Sequence, residues 1–407
     1  TSMLSTWKKA MDLRKNTASK VFRPSVTSRL VALDQRFALW RTPRSLTMKL
    51  GLNPQASESL LIKTETNMKE ALTYDDILIL PQYSDIRSRS EVDIHTDLGN
   101  GLKLDLPIFA SPMDTISEDL MAFAMSEQGG SAIIHRYNTP EEQAQLVRIA
   151  KTNGAENIGF AVGVGDDMQS RVRECLAAGA TFVCVDVAHG HHIMMKEALH
   201  TIRGAIGDDL HIMAGNVATL QGINDLADWG ANSVRCNIGG GSICSTRVQT
   251  GHGHPGLQTI IDCAMTDRDV TIIADGGIRN SGDIVKALAA GADAVMLGSL
   301  LSGTRETPGE VFTDAQGRKY KTYRGMASKE AQVEWRGRYS SFEGVSSTVP
   351  YRGKVRNILS DLEQGIRSGL SYSGVRSIDE MQYRVEFVRQ TSAGLGESKT
   401  HIINRQW

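Results

Sequence analysis

Five cysteines punctuate the chain, and one of them stands in a setting unlike the other four. Residues 237–247 read NIGGGSICSTR, with three consecutive glycines just ahead of Cys244. Glycines let backbone N–H groups approach an anion closely, and a thiol in such an electropositive loop is favoured as the thiolate nucleophile. The stretch therefore reads as a phosphate cradle that also carries a nucleophile. Cys175, Cys184, Cys236 and Cys263 have apolar strand-like or helix-like neighbours and read as packing residues. The cysteines form no CxxC pair and their number is odd, which points to a reduced, cytoplasmic setting.

A reactive loop needs rigid elements to hold it. Short β-rich apolar runs follow one another from residue 107 onward: PIFAS (107–111), SAIIH (131–135), NIGFAVG (157–163), TFVCVDV (181–187), LHIMAG (210–215), SVRCN (233–237), TIIADGG (271–277) and AVMLGS (294–299). Helix-like segments such as EEQAQLVRIAKTNG and SGDIVKALAAGA lie between them and close on glycine. Eight strands alternating with helices predict a (β/α)8 TIM barrel with its active site at the C-terminal ends of the strands. An open doubly wound sheet is disfavoured, since no GxGxxG opens the first unit. In the barrel, Ser111, Met113 and Asp114 follow the first strand, Asp186 the fourth, Asn216 the fifth, the cysteine loop the sixth, Asp275 and Gly277 the seventh, and Gly298 and Ser299 the eighth. The loops GGGS, DGG and LGS then share one mouth, where Ser242 and Ser299 add hydroxyl donors.

The formal net charge of -1 gives no basic field for nucleic acid, and no apolar run approaches the roughly 20 residues of a membrane span. Charge is uneven, however. Up to about residue 52 the chain is rich in Lys, Arg, Ser and Thr with only Asp12 and Asp34 as acids. Residues 1–67 are read as a basic N-terminal extension, for organelle targeting or as a surface arm or added sequence, and residues 68–407 as the catalytic barrel.

The cysteine loop resembles that of the IMP dehydrogenase and GMP reductase family. The resemblance continues through LTYDDILILP, SPMDTISE, EQGGSAIIHR, AGNVAT, the long DGGIRNSGDIVKALAAGADAVMLGSLLSGT, YRGMAS and AGLGESKTHI, in order and over nearly everything after Lys69. It implies that Cys244 attacks C2 of a purine mononucleotide to form a covalent adduct, with Thr246 as a neighbouring proton-transfer hydroxyl and a hydride exchanged with a nicotinamide cofactor. Ser111, Ser242, Gly277, Gly298, Ser299 and Tyr323 would bind the substrate, mainly at its phosphate. Asp275 would hold the ribose hydroxyls, and Met113, Gly325, Met326, Arg338 and Gly344 would line the rest of the nucleotide site. Asp186 and Asn216 would serve the cofactor. Carbonyls of Gly239, Gly241 and Cys244 would line a monovalent-cation site for K+, although Asn237 and Gly240 replace the family's Gly and Pro in that loop. Assembly as a homotetramer or octamer is implied as well.

Two activities share this chemistry: NAD-dependent oxidation of IMP to XMP, and NADPH-dependent reduction of GMP to IMP with loss of ammonia. SPMDTISE, GGIRNSGD and YRGM resemble the dehydrogenases; DVAHG, AGNVAT and TRVQTGHGHPGL resemble the reductases. The flap, about residues 323–353, is short for a dehydrogenase, and Glu343 matches the reductase glutamate that works with the threonine on the leaving amine. Arg338 and Tyr339 stand almost where a dehydrogenase places its water-activating pair. The flap length favours the reductase. One helix between the second and third strands leaves no room for the nucleotide-sensing domain that many dehydrogenases insert there. Two alternatives compete: a metal hydrolase built on HGHH (189–192) and HGH (252–254), disfavoured because no HxH at the first strand or ligating Lys and Asp set accompanies them, and a catalytically silent nucleotide-binding barrel.

Overall fold

The computed structural model describes residues 69–339 and 343–399, so the basic extension lies outside the described residues. Residues 72–399 belong to one compact unit. All eight expected strands form: β1 (Ile108–Ala110), β2 (Ser131–Ile134), β3 (Ile158–Val162), β4 (Phe182–Asp186), β5 (His211–Val217), β6 (Ser233–Cys236), β7 (Thr271–Asp275) and β8 (Ala294–Leu297). They pair in parallel in chain order, and β8 returns to β1 to close the barrel. One expectation is extended: β5 runs two residues past its apolar stretch, so Asn216 is a strand residue and not a loop residue.

Helices α1 (Asp119–Glu127), α2 (Pro140–Thr152), α3 (Met168–Ala177), α4 (Ile193–Ile206) and α5 (Leu220–Asp228) link the first six strands. The start of α2 is written into the sequence: Thr139 caps the helix, Pro140 takes its first position, and Glu142 reaches back to the cap in a reciprocal box. After β6 come the short α6 (Thr246–Thr250) and α7 (Gly256–Cys263), and α8 (Ser281–Ala289) joins β7 to β8. The flap is built on an antiparallel sheet of β9 (Phe312–Thr313), β10 (Lys319–Arg324) and β11 (Ser346–Pro350), with α9 (Lys329–Arg336) between the last two. A final long helix, α10 (Val355–Tyr372), packs on α8.

Alternation along the strands sorts side chains into an inner and an outer set. Phe109, Ile133, Ala161, Phe182, Cys184, Met213, Ile273, Ala294 and Met296 pack together, joined by Leu98, Leu102 and Leu104 from a short hairpin. The outer residues of the same strands form the larger core beneath the helices. At the N-terminal end of β5, His211 is fully buried; its Nδ1 meets the Gly99 carbonyl at 3.1 Å and its Nε2 the Ser233 hydroxyl at 2.8 Å. The carbonyl places the ring proton on Nδ1, so Nε2 accepts. Burial pushes this imidazole down to about 4 from its ordinary 6.5.

The sign of the resulting linkage follows. Between those two values the unfolded chain binds a proton that the folded chain refuses, so stability rises with pH across this window and is lost as pH falls through it. The shift corresponds to about 3 kcal/mol. The guanidinium chloride midpoint is therefore expected to drop between pH 7 and pH 4.5, and His211→Gln should flatten that slope. An unchanged slope in the variant would assign the acid sensitivity to other groups.

Candidate active site

The inner set changes character where the strands end. Along β4, Phe182 and Cys184 lead to Asp186; along β5, His211 and Met213 lead to Gly215; Ser233 and Arg235 of β6 lead to Asn237; Ile273 of β7 leads to Asp275; and Met296 of β8 leads to Gly298. Apolar residues thus fill the barrel, and polar residues and glycines cap it at the C-terminal face. These ends line a pocket of about 310 Å³.

Arg235 ties that cap together. It is 6% exposed and donates through Nη1 to Asp186 Oδ1, and through Nε and Nη2 to Asp275 Oδ2 at 3.2 and 2.8 Å. Asn216 Nδ2 donates to the same Asp275 oxygen at 2.7 Å, which leaves Oδ1 of Asp275 for a ligand hydroxyl. Burial alone would push the Asp186 carboxyl up, but the Arg235 and Arg136 charges overturn this and hold it below the usual carboxylate range. Gly215 makes the arrangement possible, because a Cβ there would stand 2.6 Å from Cβ of Arg235. Sequence reading missed Arg235; the available signal was a single charge inside the otherwise apolar run SVRCN.

Cys244 is exposed in the pocket wall, and its Sγ lies 3.1 Å from Thr246 Oγ1. The other four cysteines are buried, and burial pushes the Cys175 and Cys184 thiols up to about 12, which keeps them protonated and inert. The flap's returning segment is stitched to the cysteine loop by backbone. Cys244 and Gly344 form an antiparallel bridge, Ser245 N–H donates to the Glu343 carbonyl at 2.8 Å, and Val345 N–H donates to that of Ile243 at 3.0 Å. On its other side the segment meets the turn after β10, where Glu343 N–H donates to Ala327 O at 3.0 Å and Gly325 N–H to Val345 O at 3.0 Å. Glu343 and Gly344 consequently line the pocket with Cys244 and Thr246. The Glu343 carboxylate makes no hydrogen bond to a described residue, so it is available to a ligand.

At the opposite wall, Gly298 is the meeting point. A Cβ on it would stand 3.1 Å from the Tyr323 hydroxyl, 3.3 Å from Met113 Sδ and 3.5 Å from Ser111 Oγ. The Tyr323 hydroxyl reaches Ser242 Oγ at 3.4 Å, and Gly277 and Ser299 complete the rim. Hydroxyls and bare backbone, with no lysine among the lining residues, suit a phosphate held by directed hydrogen bonds. Gly325 and Met326 line the pocket between this rim and the flap; Arg338 does not line it and is exposed.

Beyond Asp186 the pocket is walled by Arg136 and Tyr137, which sequence reading also missed. The Tyr137 ring stacks on Trp335 of α9 with centroids 4.1 Å apart, and its hydroxyl donates to Met326 O at 2.6 Å. Arg136 Nε is buried with no hydrogen-bond partner. That nitrogen stands 3.7 Å from Asp186 Oδ2 as an ion pair, and Arg136 Nη2 donates to the Asp186 carbonyl at 3.2 Å; this polar wall, with Asn216 beside it, fits a polar cofactor group such as a nicotinamide riboside.

Of the three carbonyls expected to line a cation site, that of Gly241 already has a partner. The Gly241 carbonyl accepts the Cys244 N–H at 3.1 Å, and the Arg247 guanidinium donates to the Ile238 carbonyl at 3.2 Å. The stem of Arg247 also crowds Gly239, to within 2.5 Å of where a Cβ would stand. The Arg247 charge serves the Ile238 and His254 carbonyls, and no step below runs through a diffusible cation. The histidines of the two His-rich stretches are dispersed: His191 binds Asp225 at 2.7 Å, His192 caps α4, and His252 faces its own turn. Among the described residues no group of three or more His, Cys, Asp or Glu side chains is placed to hold a metal ion, and no helix is long and apolar enough to cross a membrane.

Comparison with known proteins adds independent findings. The family described as IMP dehydrogenase / GMP reductase domain matches residues 71–401. An inosine-5'-monophosphate dehydrogenase of Nitrosopumilus maritimus is 33% identical over 472 residues, taking in 82% of this chain and 99% of the relative. A GMP reductase of Leishmania donovani is 31% identical over 483 residues, taking in 83% of this chain and 98% of the relative. Both alignments are longer than the 407-residue chain itself, so both relatives carry stretches that it lacks. Among solved structures, a cysteine-to-alanine variant of GMP reductase from Trypanosoma brucei in complex with guanosine 5'-monophosphate superposes with a TM-score of 0.79 at 31% identity, covering 83% of this chain and 99% of that one.

Proposed function

The chain belongs to the IMP dehydrogenase / GMP reductase family, and we propose that within it the activity is that of a GMP reductase. The observation that supports this reading is the stitched flap: backbone bridges hold Glu343 beside Ser245, one residue from both Cys244 and Thr246, and all three residues line the pocket. Arg338 and Tyr339, which a dehydrogenase would need near the reacting carbon, are exposed and outside the lining. The identities of 33% and 31% to the two kinds of relative do not discriminate.

In the proposed reaction the phosphate of GMP rests among Ser111, Ser242, Gly277, Gly298, Ser299 and Tyr323, and Asp275 accepts a hydrogen bond from the ribose. Cys244 Sγ attacks C2 of the purine. The exocyclic amine leaves as ammonia with a proton from Glu343, relayed or steadied by the Thr246 hydroxyl. A nicotinamide, when bound at the Asp186 and Asn216 wall, supplies the hydride that C2 receives. Cys244 then departs as thiolate and IMP is released. The balance is GMP, NADPH and a proton giving IMP, NADP+ and ammonia. Tyr137 and the flap keep bulk water from the adduct, which would otherwise hydrolyse to XMP.

General acids of this kind contribute typically about 10²- to 10⁴-fold. Glu343→Gln is therefore expected to slow ammonia release from GMP by about 10²-fold or more, with the KM for GMP within a few-fold of the parent. Equal rates in parent and variant would remove Glu343 from the reaction.

A further inference from the structure

Asn237 opens the cysteine loop in an unfavourable state. It is 3% exposed and adopts φ of +152°, a conformation that L residues rarely take. Its Oδ1 is buried with no partner, which adds to the cost. A residue both strained and half-satisfied is not retained for stability, and its other contacts show what it does hold. Its N–H donates to Val217 O at 2.9 Å, its carbonyl accepts from Asn216 Nδ2 at 3.0 Å, and its Nδ2 donates to Gly276 O at 3.3 Å. The carboxamide thus joins the end of β6 to the loop that carries Asp275 and Gly277.

The space it occupies exists only because residue 240 is glycine. A Cβ on Gly240 would stand 2.1 Å from Asn237 Nδ2, 2.7 Å from its Cγ and 2.8 Å from its Oδ1. Any side chain at 240 must expel the carboxamide. Gly240 and Gly241 are also in contact with the facing loop: Cβ atoms built on Gly276 and Gly277 would meet Gly241 N at 3.2 Å and Gly240 O at 3.3 Å. Gly241 in turn holds the Cys244 N–H through its carbonyl. A disturbance at 237 or 240 therefore reaches the nucleophile through three residues of packed backbone.

We propose that Asn237 and Gly240 form an interlocking pair that fixes the cysteine loop against the Asp275–Gly277 loop, with the Asn237 carboxamide as the positioning residue for Cys244. The two positions must change together, since a Cβ at 240 and the Asn237 carboxamide claim the same space. The lock acts on the loop itself and holds whichever nucleotide reacts.

The test is an exchange. In the full chain, Gly240→Ala, Asn237→Gly and the double variant are compared by GMP turnover and by the rate at which iodoacetamide alkylates Cys244, which needs no turnover and so does not depend on the reductase reading. Gly240→Ala is expected to lower both rates at least tenfold. Asn237→Gly should lower kcat severalfold with little change in KM. The double variant should return to the level of Asn237→Gly, at least fivefold above Gly240→Ala. If Gly240→Ala does not fold, a folded double variant with Asn237→Gly alkylation kinetics supports the lock equally. A double variant no better than Gly240→Ala, or a Gly240→Ala protein with parental rates, overturns it.

Discussion

Cys244→Ala removes turnover, by a factor on the order of 10⁴ or more, and leaves nucleotide binding within a few-fold of the parent. The thiol is the one exposed cysteine among the five and the one thiol that lines the pocket, so no neighbouring group can replace it as nucleophile. Binding depends on other elements. The rim around Gly298, the Tyr323 hydroxyl and the Asp275 carboxylate come from the ends of β7, β8 and β10; Ser242 comes from the cysteine loop, and none of them bonds the Cys244 side chain. Calorimetric titration with GMP alongside the NADPH assay reads both halves. Turnover that survives in the variant would end the covalent mechanism, whereas lost binding would mean that the cysteine loop collapses without its sulfur.

The second large effect falls on stability. Arg235→Met leaves Asp186 with Arg136 alone and Asp275 with Asn216 alone, and the loss approaches the roughly 3–5 kcal/mol of a broken buried ion pair. The pH dependence changes sign with it. In the parent, Asp186 has a depressed pKa, so its contribution is present above the ordinary aspartate value of about 3.9 and is lost as pH falls through the folded value. In the variant, burial opposes the Arg136 charge alone and the Asp186 carboxyl moves up, so acidification from pH 7 toward 5 should recover part of the lost stability. Urea midpoints at the two pH values decide the matter. A deficit equal at both would show that the carboxylates are solvated and that Arg235 acts through packing alone.

Much of this architecture is legible because barrel strands are short, buried and bracketed by helix signals. Each apolar run from PIFAS to AVMLGS becomes a strand within two residues. The catalytic mouth follows from the same reading, since the strand ends must converge once the sheet closes. Arg235 was hidden by its position: inside a strand run a charge looks like noise, and its value emerges only when Asp186 and Asp275 arrive on either side. The Tyr137–Trp335 stack joins residues almost 200 positions apart, and the flap is tied down by single bridges such as Cys244 to Gly344. Isolated long-range contacts leave no periodicity for sequence to display. The departure at Asn237 and Gly240 was visible as two separate substitutions, and only the 2.1 Å approach of a Cβ at 240 to the Asn237 carboxamide connects them.

The most direct measurement follows the nicotinamide absorbance of the purified protein in two cuvettes, one with GMP and NADPH, the other with IMP, NAD and potassium. Loss of NADPH with one ammonia released per IMP formed is the predicted result. Formation of NADH with XMP, and none of the reductase reaction, would contradict it and place Arg338 and Tyr339 in the working site of a shortened flap.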